Sequence, residues 1–444
     1  SQFMSYRIWN EAGSPGSRCA YAKVRVNGRN LGVYSHVETV REPLLKREFG
    51  NDKGTLFEGT VVDFYPEWEG SFELKTGDNK KGREHIVKVI NALQGGRGKS
   101  FFGDFASGYA WVPTSDKNDN EWFKPEFNDL SWKKGINGAG YETGQGFEKL
   151  ISPNFNFIEQ MHNKATSLYL RFPFELKSLD EIQSTKNLLL RMKCDDGFVA
   201  YINGYEVARY NSPPSPKWNS MATGSGDDGS NATFAAFNIN KHRDKFRTGK
   251  NLLAIHGMNI SLSSTDFLQV AELQTNEHDY QTAIWDLIDE KAFYRFWALE
   301  GLLSFWDGYS GNRNNYFIYL NPKTKKFHFM PWGADCLFEK FSRLRVDRRS
   351  PRSVRLQGLV ARKLYQIPSV RKKYASTMKE LMTKHWNEEK LLAETKRIEA
   401  MLTPHISDYQ WRSVRFDAIR EFIRNRREDV EIEINGEDMP LWPK

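Results

Sequence analysis

The feature that most constrains this chain is a change of period. Between about residues 101 and 274 the apolar residues alternate or come in short runs, and helical spacing is almost absent; on both sides of that stretch it returns. The central strand candidates are 168–176, 187–194, 198–202, 205–210, 233–239, 251–258 and 267–273, with a tight hairpin signal at Asn203-Gly204. Short strands at this density, separated by turn residues, predict an all-β sandwich. Residues 211–231 are rich in Pro, Ser, Gly and Asp and predict a long surface loop.

The flanks read differently. Residues 20–26 and 31–37 alternate across Asn27-Gly28, a second hairpin signal, and residues 41–49 are helical up to Gly50. Strands are expected over 55–64 and 71–75, then a short amphipathic helix over 84–93 that stops at the glycine-rich 95–98. After the central stretch, 284–305 is long, apolar and aromatic and predicts a buried helix. A strand pair follows over 316–320 and 326–330, then amphipathic helices over 368–385, 388–402 and 407–425. The fold class is therefore α+β, with an all-β domain over 101–275 inserted between 1–98 and 276–444.

Composition removes several classes. At 39% hydrophobic and 14% aromatic residues, the chain has material for a real core and is not a disordered protein. No apolar run reaches the length of a membrane span, and the first residues do not read as a signal peptide. Cys19, Cys194 and Cys336 are too scattered for a zinc site or a disulfide framework. The formal charge of +8 suggests an anionic partner, but it is concentrated: residues 340–373 hold twelve Lys or Arg and one acid, Asp347. That segment reads either as a solvated face or as a phosphate-facing surface. Nucleic acid is the weaker partner, because no recognition motif accompanies the charge.

The densest polar cluster in an apolar setting is Asp307-Gly-Tyr-Ser-Gly-Asn312-Arg-Asn314-Asn315, between the buried helix and a strand; Asp335 follows the next strand. An Asp and an Asn five apart, then a later Asp, is the set that phosphotransferases use: one orients the acceptor hydroxyl, the others hold magnesium on nucleotide phosphates. The same residues also suit turns, where Asp and Asn side chains bond local backbone.

Several segments together resemble the spore coat protein H (CotH) kinase-like family. They are residues 6–16 (YRIWNEAGSPG), 24–38 (VRVNGRNLGVYSHVE), 54–59 (GTLFEG), 72–75 (FELK), 305–319 (FWDGYSGNRNNYFIY) and 327–335 (FHFMPWGAD), with the C-terminal helices ending near residue 426. The resemblance implies an atypical protein-kinase-like fold. It also implies transfer of phosphate from ATP, with magnesium or manganese, to Ser or Thr of a secreted or surface protein. Asp307 then matches the catalytic Asp, Asn312 or Asn315 the metal-holding Asn, and Asp335 the metal-binding Asp. Lys75 matches the phosphate-binding Lys and Glu38 its carboxylate partner. An extracytoplasmic location is implied as well. Related domains have further strands ahead of the point matching Ser1, so a preceding segment with any signal peptide is expected.

Two departures stand out. The family pattern PWD-x-D has Gly333 at its first acid, and Glu58 stands where the family often has Lys. The loss at residue 333 opens an alternative: a catalytically degenerate kinase-like protein serving as a surface or carbohydrate-binding module. Residues 130–273 are similar to jelly-roll, galactose-binding-like sandwiches. Trp111, Trp122, Trp132, Tyr141 and Trp218 could stack on a polysaccharide there, although core packing is the commoner use of such rings. Asp195-Asp196 suits either calcium or a turn. Arg343, Arg345, Arg348 and Arg349, shortly after Asp335, could face phosphate or an acidic substrate.

Overall fold

The computed structural model describes residues 1–94, 99–183, 185–225, 231–276, 283–340, 351–407, 410 and 415–435. Helix α1 (Gln2–Glu11) leads into β1 (Cys19–Val26) and β2 (Arg29–Val37), an antiparallel pair closed at Val26↔Arg29 by Asn27-Gly28. Helix α2 (Glu42–Phe49) ends on Gly50, as its pattern predicts. Strands β3 (Thr55–Gly59) and β4 (Glu73–Thr76) are shorter than the alternation suggests. The chain leaves β3 at Gly59 because the next apolar residues, Val62 and Phe64, are buried outside the sheet on either side of a buried Asp63. Helix α3 (Asn79–Leu93) starts earlier than its apolar spacing suggests.

Eleven strands follow: β5 (Lys99–Phe102), β6 (Ser107–Trp111), β7 (Lys133–Ile136), β8 (Ala139–Glu142), β9 (Ser167–Leu176), β10 (Asn187–Asp195), β11 (Gly197–Ile202), β12 (Tyr205–Tyr210), β13 (Ala235–Asn238), β14 (Gly249–Met258) and β15 (Asp266–Asn276). One antiparallel sheet runs β13-β10-β15-β5 with β8 beside β15, and the other runs β12-β11-β14-β9-β6-β7. Alternate residues of both enter one core: Leu168, Leu170 and Phe172; Leu188, Leu190 and Met192; Phe198, Ala200 and Ile202; Phe267, Ala271 and Leu273. That period of two is what the sequence displays, because strands put successive side chains on opposite faces. β5 to β8 were not legible, being short and mixed with Gly and polar residues.

Helix α4 (Glu290–Leu302) follows, N-capped by Asp289, whose side chain accepts from Ala292 N. A one-turn helix α5 (Tyr309–Asn312) comes next, then β16 (Tyr316–Leu320) and β17 (Phe327–Pro331). These strands extend an antiparallel sheet of order β17-β16-β3-β4. Helices α6 (Leu359–Tyr365), α7 (Pro368–His385), α8 (Glu388–Leu402) and α9 (Phe416–Ile434) complete the described chain. α7 and α8 match their expected bounds; of the helix expected over 407–425, residues 408–409 and 411–414 lie outside the described residues, and α9 covers the rest from Phe416 and runs on to Ile434. Its stripe was hidden because the run from Arg426 to Asp429 is charged, yet Arg426 and Asp429 are among the buried positions.

The chain divides into two compact units, one formed by Ser1–Val89 with the residues from Trp285 onward, the other by Ile90–Ile284. Each has its own core. In the first unit, Phe293 of α4 and Tyr309 of α5 both pack on Phe329 of β17, with ring centroids 5.0 Å apart in each pair. Among the described residues no helix is long and apolar enough to cross a membrane.

Candidate functional site

The β16–β17 hairpin decides what meets what. Its register pairs Tyr316 with Pro331, so the residues before β16 and those after β17 emerge at the same end of the sheet. The contact is direct: Trp332 N donates to Asn315 O at 2.9 Å. The polar loop beginning at Asp307 and the turn holding Asp335 are therefore neighbours by construction.

Within the loop, three side-chain amides converge on one carboxylate. Asp307 Oδ1 accepts from Asn312 Nδ2 at 2.7 Å and Asn314 Nδ2 at 3.3 Å. Asp307 Oδ2 accepts from Asn315 Nδ2 at 2.8 Å, and the same Nδ2 reaches Asp307 O at 3.0 Å. Neutral donors on both oxygens fix the rotamer without cancelling the charge. Spacing leaves Asn312 and Asn315 as alternatives, and the structure brings both to Asp307. They differ in surroundings, because Asn315 also adjoins the turn after β17.

That turn is shaped by Gly333. Its φ is +52°, and a Cβ there would sit 2.7 Å from Asn315 Oδ1. The family's acid at this position is thus replaced by a left-handed glycine whose missing side chain leaves room for the Asn315 amide. Gly333→Asp is expected to lower stability by about 1–3 kcal/mol through strain and displacement of Asn315. Urea denaturation measures it; an unchanged midpoint contradicts this reading of the turn. Asp335 itself is exposed, and its N–H donates to Gly333 O at 2.7 Å.

Lys75 and Glu38 are not partners. Lys75 Nζ pairs with Glu58 Oε2 and Glu73 Oε1, each at 2.5 Å, and these carboxylates, Glu58 foremost, raise its pKa. The cause is register: β3 and β4 pair Glu58 with Glu73, so a Lys two residues beyond Glu73 lies on the same face as both. Glu38 is held elsewhere, its Oε2 accepting from Arg47 Nη2 at 2.6 Å and Arg18 N at 2.9 Å. The carboxylate expected to hold Lys75 is corrected to Glu58, the residue that departs from the family pattern. Lys75 lies on the edge strand β4, two strands from β16 and so about 10 Å away at ordinary strand spacing.

Two carboxylates that contact the loop escaped the sequence reading, Asp63 and Glu300, both fully buried. Glu300, in the last turn of α4, accepts from Tyr309 N and Ser310 N at 2.8 Å each. Asp63 accepts from Phe64 N at 2.8 Å, Tyr309 Oη at 3.0 Å and Leu359 N at 2.6 Å. The available signal was an acid inside an apolar stripe: Glu300 follows Phe296 and Trp297 at helical spacing, and Asp63 stands between Val62 and Phe64.

Four arginines of the basic segment are spent inside the first unit. Arg352 pairs with Asp429, and buried Arg355 donates to Ser304 Oγ at 2.8 Å. Arg362 donates to Leu356 O at 3.0 Å, and Arg371 to Tyr365 O at 3.0 Å. The phosphate-facing reading is corrected for these four, whose guanidinium groups satisfy protein oxygens. Arg343, Arg345, Arg348 and Arg349 lie outside the described residues.

In the second unit the aromatics pack on one another. Trp122 stacks on Tyr169 with centroids 4.0 Å apart, and Trp111 lies 5.6 Å from Trp132. Asp195 and Asp196 are buried; Asp195 Oδ1 accepts from Asn231 at 2.6 Å and Asp196 Oδ2 from Ile260 N at 2.8 Å. Among the described residues no group of three or more His, Cys, Asp or Glu could hold a metal ion.

A family model described as CotH kinase protein matches residues 2–106 and 257–430, more than half of the chain and including every segment just built into the site. The chain belongs to the CotH kinase family. No curated protein matches it. Among solved structures, a calcium-binding mutant of Bacteroides uniformis beta-glucuronidase 2 is 14% identical, with 39% of this chain and 18% of that chain covered and a TM-score of 0.24. An uncultured Clostridium sp. beta-glucuronidase is 12% identical over 40% of this chain and 29% of that chain, with a TM-score of 0.25. A beta-glucuronidase from Ruminococcus gnavus is 10% identical over 37% and 22%, with a TM-score of 0.23. This CotH kinase-family chain thus spans less than a third of the length of each.

Proposed function

We propose that the chain is an atypical kinase-like phosphotransferase that moves phosphate from ATP to a Ser or Thr of an extracytoplasmic protein. In this reading 1–98 and 276–444 form the kinase-like domain, and 101–275 is an inserted jelly-roll-like β-sandwich. The observation that carries it is the Asp307 carboxylate, held by three asparagine amides beside the turn that bears Asp335. Asp307 accepts the proton of the attacking hydroxyl, a role that needs an oriented, ionised carboxylate. Lys75, kept charged by Glu58, is the residue for phosphate charge.

The donors fit a cation that arrives with phosphate. Asn312 spends its Nδ2 on Asp307, which leaves its Oδ1 as an oxygen donor, and Asp335 offers an exposed carboxylate. Magnesium is typically held by one or two carboxylates with waters and substrate phosphates, so no larger cluster is required. Bound there, magnesium or manganese would neutralise phosphate charge during transfer.

Thermal-shift titration with ATP and manganese tests this reading. The chain is expected to gain about 2.7 kcal/mol at a hundred times the dissociation constant, and Asp335→Ala to lose that gain. No shift in the unaltered chain would sink the proposal. A second reading has one observation in its favour: Gly333 leaves the turn one acid short, and Asn315 fills the space. A degenerate kinase-like protein serving as a surface or carbohydrate-binding module would keep the fold and show no shift. Self-packing of the sandwich aromatics gives its carbohydrate arm no support.

A further inference from the structure

Two carboxylates without exposed surface grip the Asp307 loop from inside the fold, and both close on Tyr309. Glu300 takes the main chain, accepting the first two N–H groups of α5. It needs Gly308 to do so, since a Cβ there would lie 2.3 Å from Glu300 Oε1. Asp63 takes the side chain, accepting the Tyr309 hydroxyl, while that oxygen accepts from Val360 N at 3.0 Å. Tyr309 stands two residues after Asp307 and three before Asn312, so its placement sets how those two side chains approach.

We propose that Glu300 and Asp63 are positioning residues for the Asp307 loop, and that their carboxylate form is required for its order. The consequence for turnover rests on the phosphotransfer reading above; the positioning itself does not.

The surroundings make the two groups titrate near neutrality. Burial raises Glu300 to about 7, against the pull of the Ser310 and Tyr309 donors and of Arg355. Burial raises Asp63 to about 6, against the Leu359 and Phe64 amides, the Tyr309 hydroxyl and Arg313. The other ionisable neighbours are the phenols of Tyr309, Tyr316 and Tyr374, all driven well above their ordinary value by burial and therefore neutral. A protonated Glu300 presents a hydroxyl where it had an acceptor, so one of its two N–H donors loses its partner.

Two properties should then move in opposite directions. A carboxyl group whose folded-state pKa is raised contributes most to stability at low pH and loses that contribution as pH rises through the raised value. The fold therefore gains from these two groups on acidification, while the loop loses order.

Hydrogen exchange over residues 305–315 of the full chain tests this between pH 5.5 and 8, with rates corrected for intrinsic pH dependence. Protection is expected to fall roughly tenfold on acidification through pH 7, the value of about one hydrogen bond. The urea midpoint is expected not to fall over the same range. Glu300→Gln should give low protection with no step near pH 7, and Asp63→Asn should keep that step. Protection independent of pH in the unaltered chain, or a step surviving in Glu300→Gln, overturns the proposal; the first needs no variant to fold. Exchange needs no turnover, so a step without ATP turnover sinks the phosphotransfer reading and leaves the positioning intact. If turnover is measured, kcat should follow the step while KM for ATP stays constant.

Discussion

Asp307→Asn is expected to lower phosphoryl transfer by about 10²–10⁴-fold, the range attributed to a positioned general base, with ATP affinity little changed. The substitution keeps size and removes charge. It also replaces one acceptor by an NH₂ group that meets the donors of Asn312, Asn314 or Asn315. The loop should relax locally rather than unfold, since Glu300 and Asp63 hold its next turn independently. Turnover and ATP binding measured on the same preparation separate these effects. A variant with unchanged turnover removes Asp307 from the chemistry.

The largest stability effect is expected at Arg426. This arginine is 1% exposed and surrounded by main-chain oxygens. Its Nε donates to Leu302 O at 2.8 Å, and its Nη2 to Arg352 O at 2.7 Å and to Gly301 O. Burial lowers its pKa to about 10, so it stays charged at neutral pH. Arg426→Met fills much of the volume but removes a donor from three carbonyls, of which Gly301 O keeps its bond from Ser304 N at 3.0 Å. At about 1–3 kcal/mol for each of the two carbonyls left orphaned, partly recovered by relaxation, a loss of about 2–4 kcal/mol follows. Gly301 and Leu302 close α4 just ahead of the Asp307 loop, so the variant should weaken nucleotide binding as well. Urea unfolding followed by tryptophan fluorescence measures the loss; a change below 1 kcal/mol, on the scale of a surface substitution, contradicts this account.

What could be read beforehand divides along physical lines. The strands over 187–195, 205–210 and 249–258 were legible because alternation is a local signal and their turns carry Asn-Gly or Gly. The meeting of the Asp307 loop with the Asp335 turn was nearly as accessible, because a short hairpin necessarily returns its two ends to one place. Lys75 shows where local reasoning stops. Its partner depends on the pairing of β3 with β4, which no local pattern specifies and which sets Glu58 beside Glu73 and Lys75 while Arg47 claims Glu38. The basic segment misleads for a related reason. Charge in a sequence does not say whether an arginine meets solvent or protein oxygens, and Arg355 and Arg371 meet the interior. Glu300 and Asp63 were hidden because their role exists only once α4, α5 and α6 are packed together.

The central claim is tested most directly by incubating the full chain with ATP, manganese and dephosphorylated casein, then following ADP release and phosphate on serine and threonine. The account predicts transfer by the unaltered chain, to casein or to itself, none by Asp335→Ala, and a rate at least about a hundredfold lower by Asp307→Asn. ADP release absent from the unaltered chain, or equal in all three proteins, contradicts it.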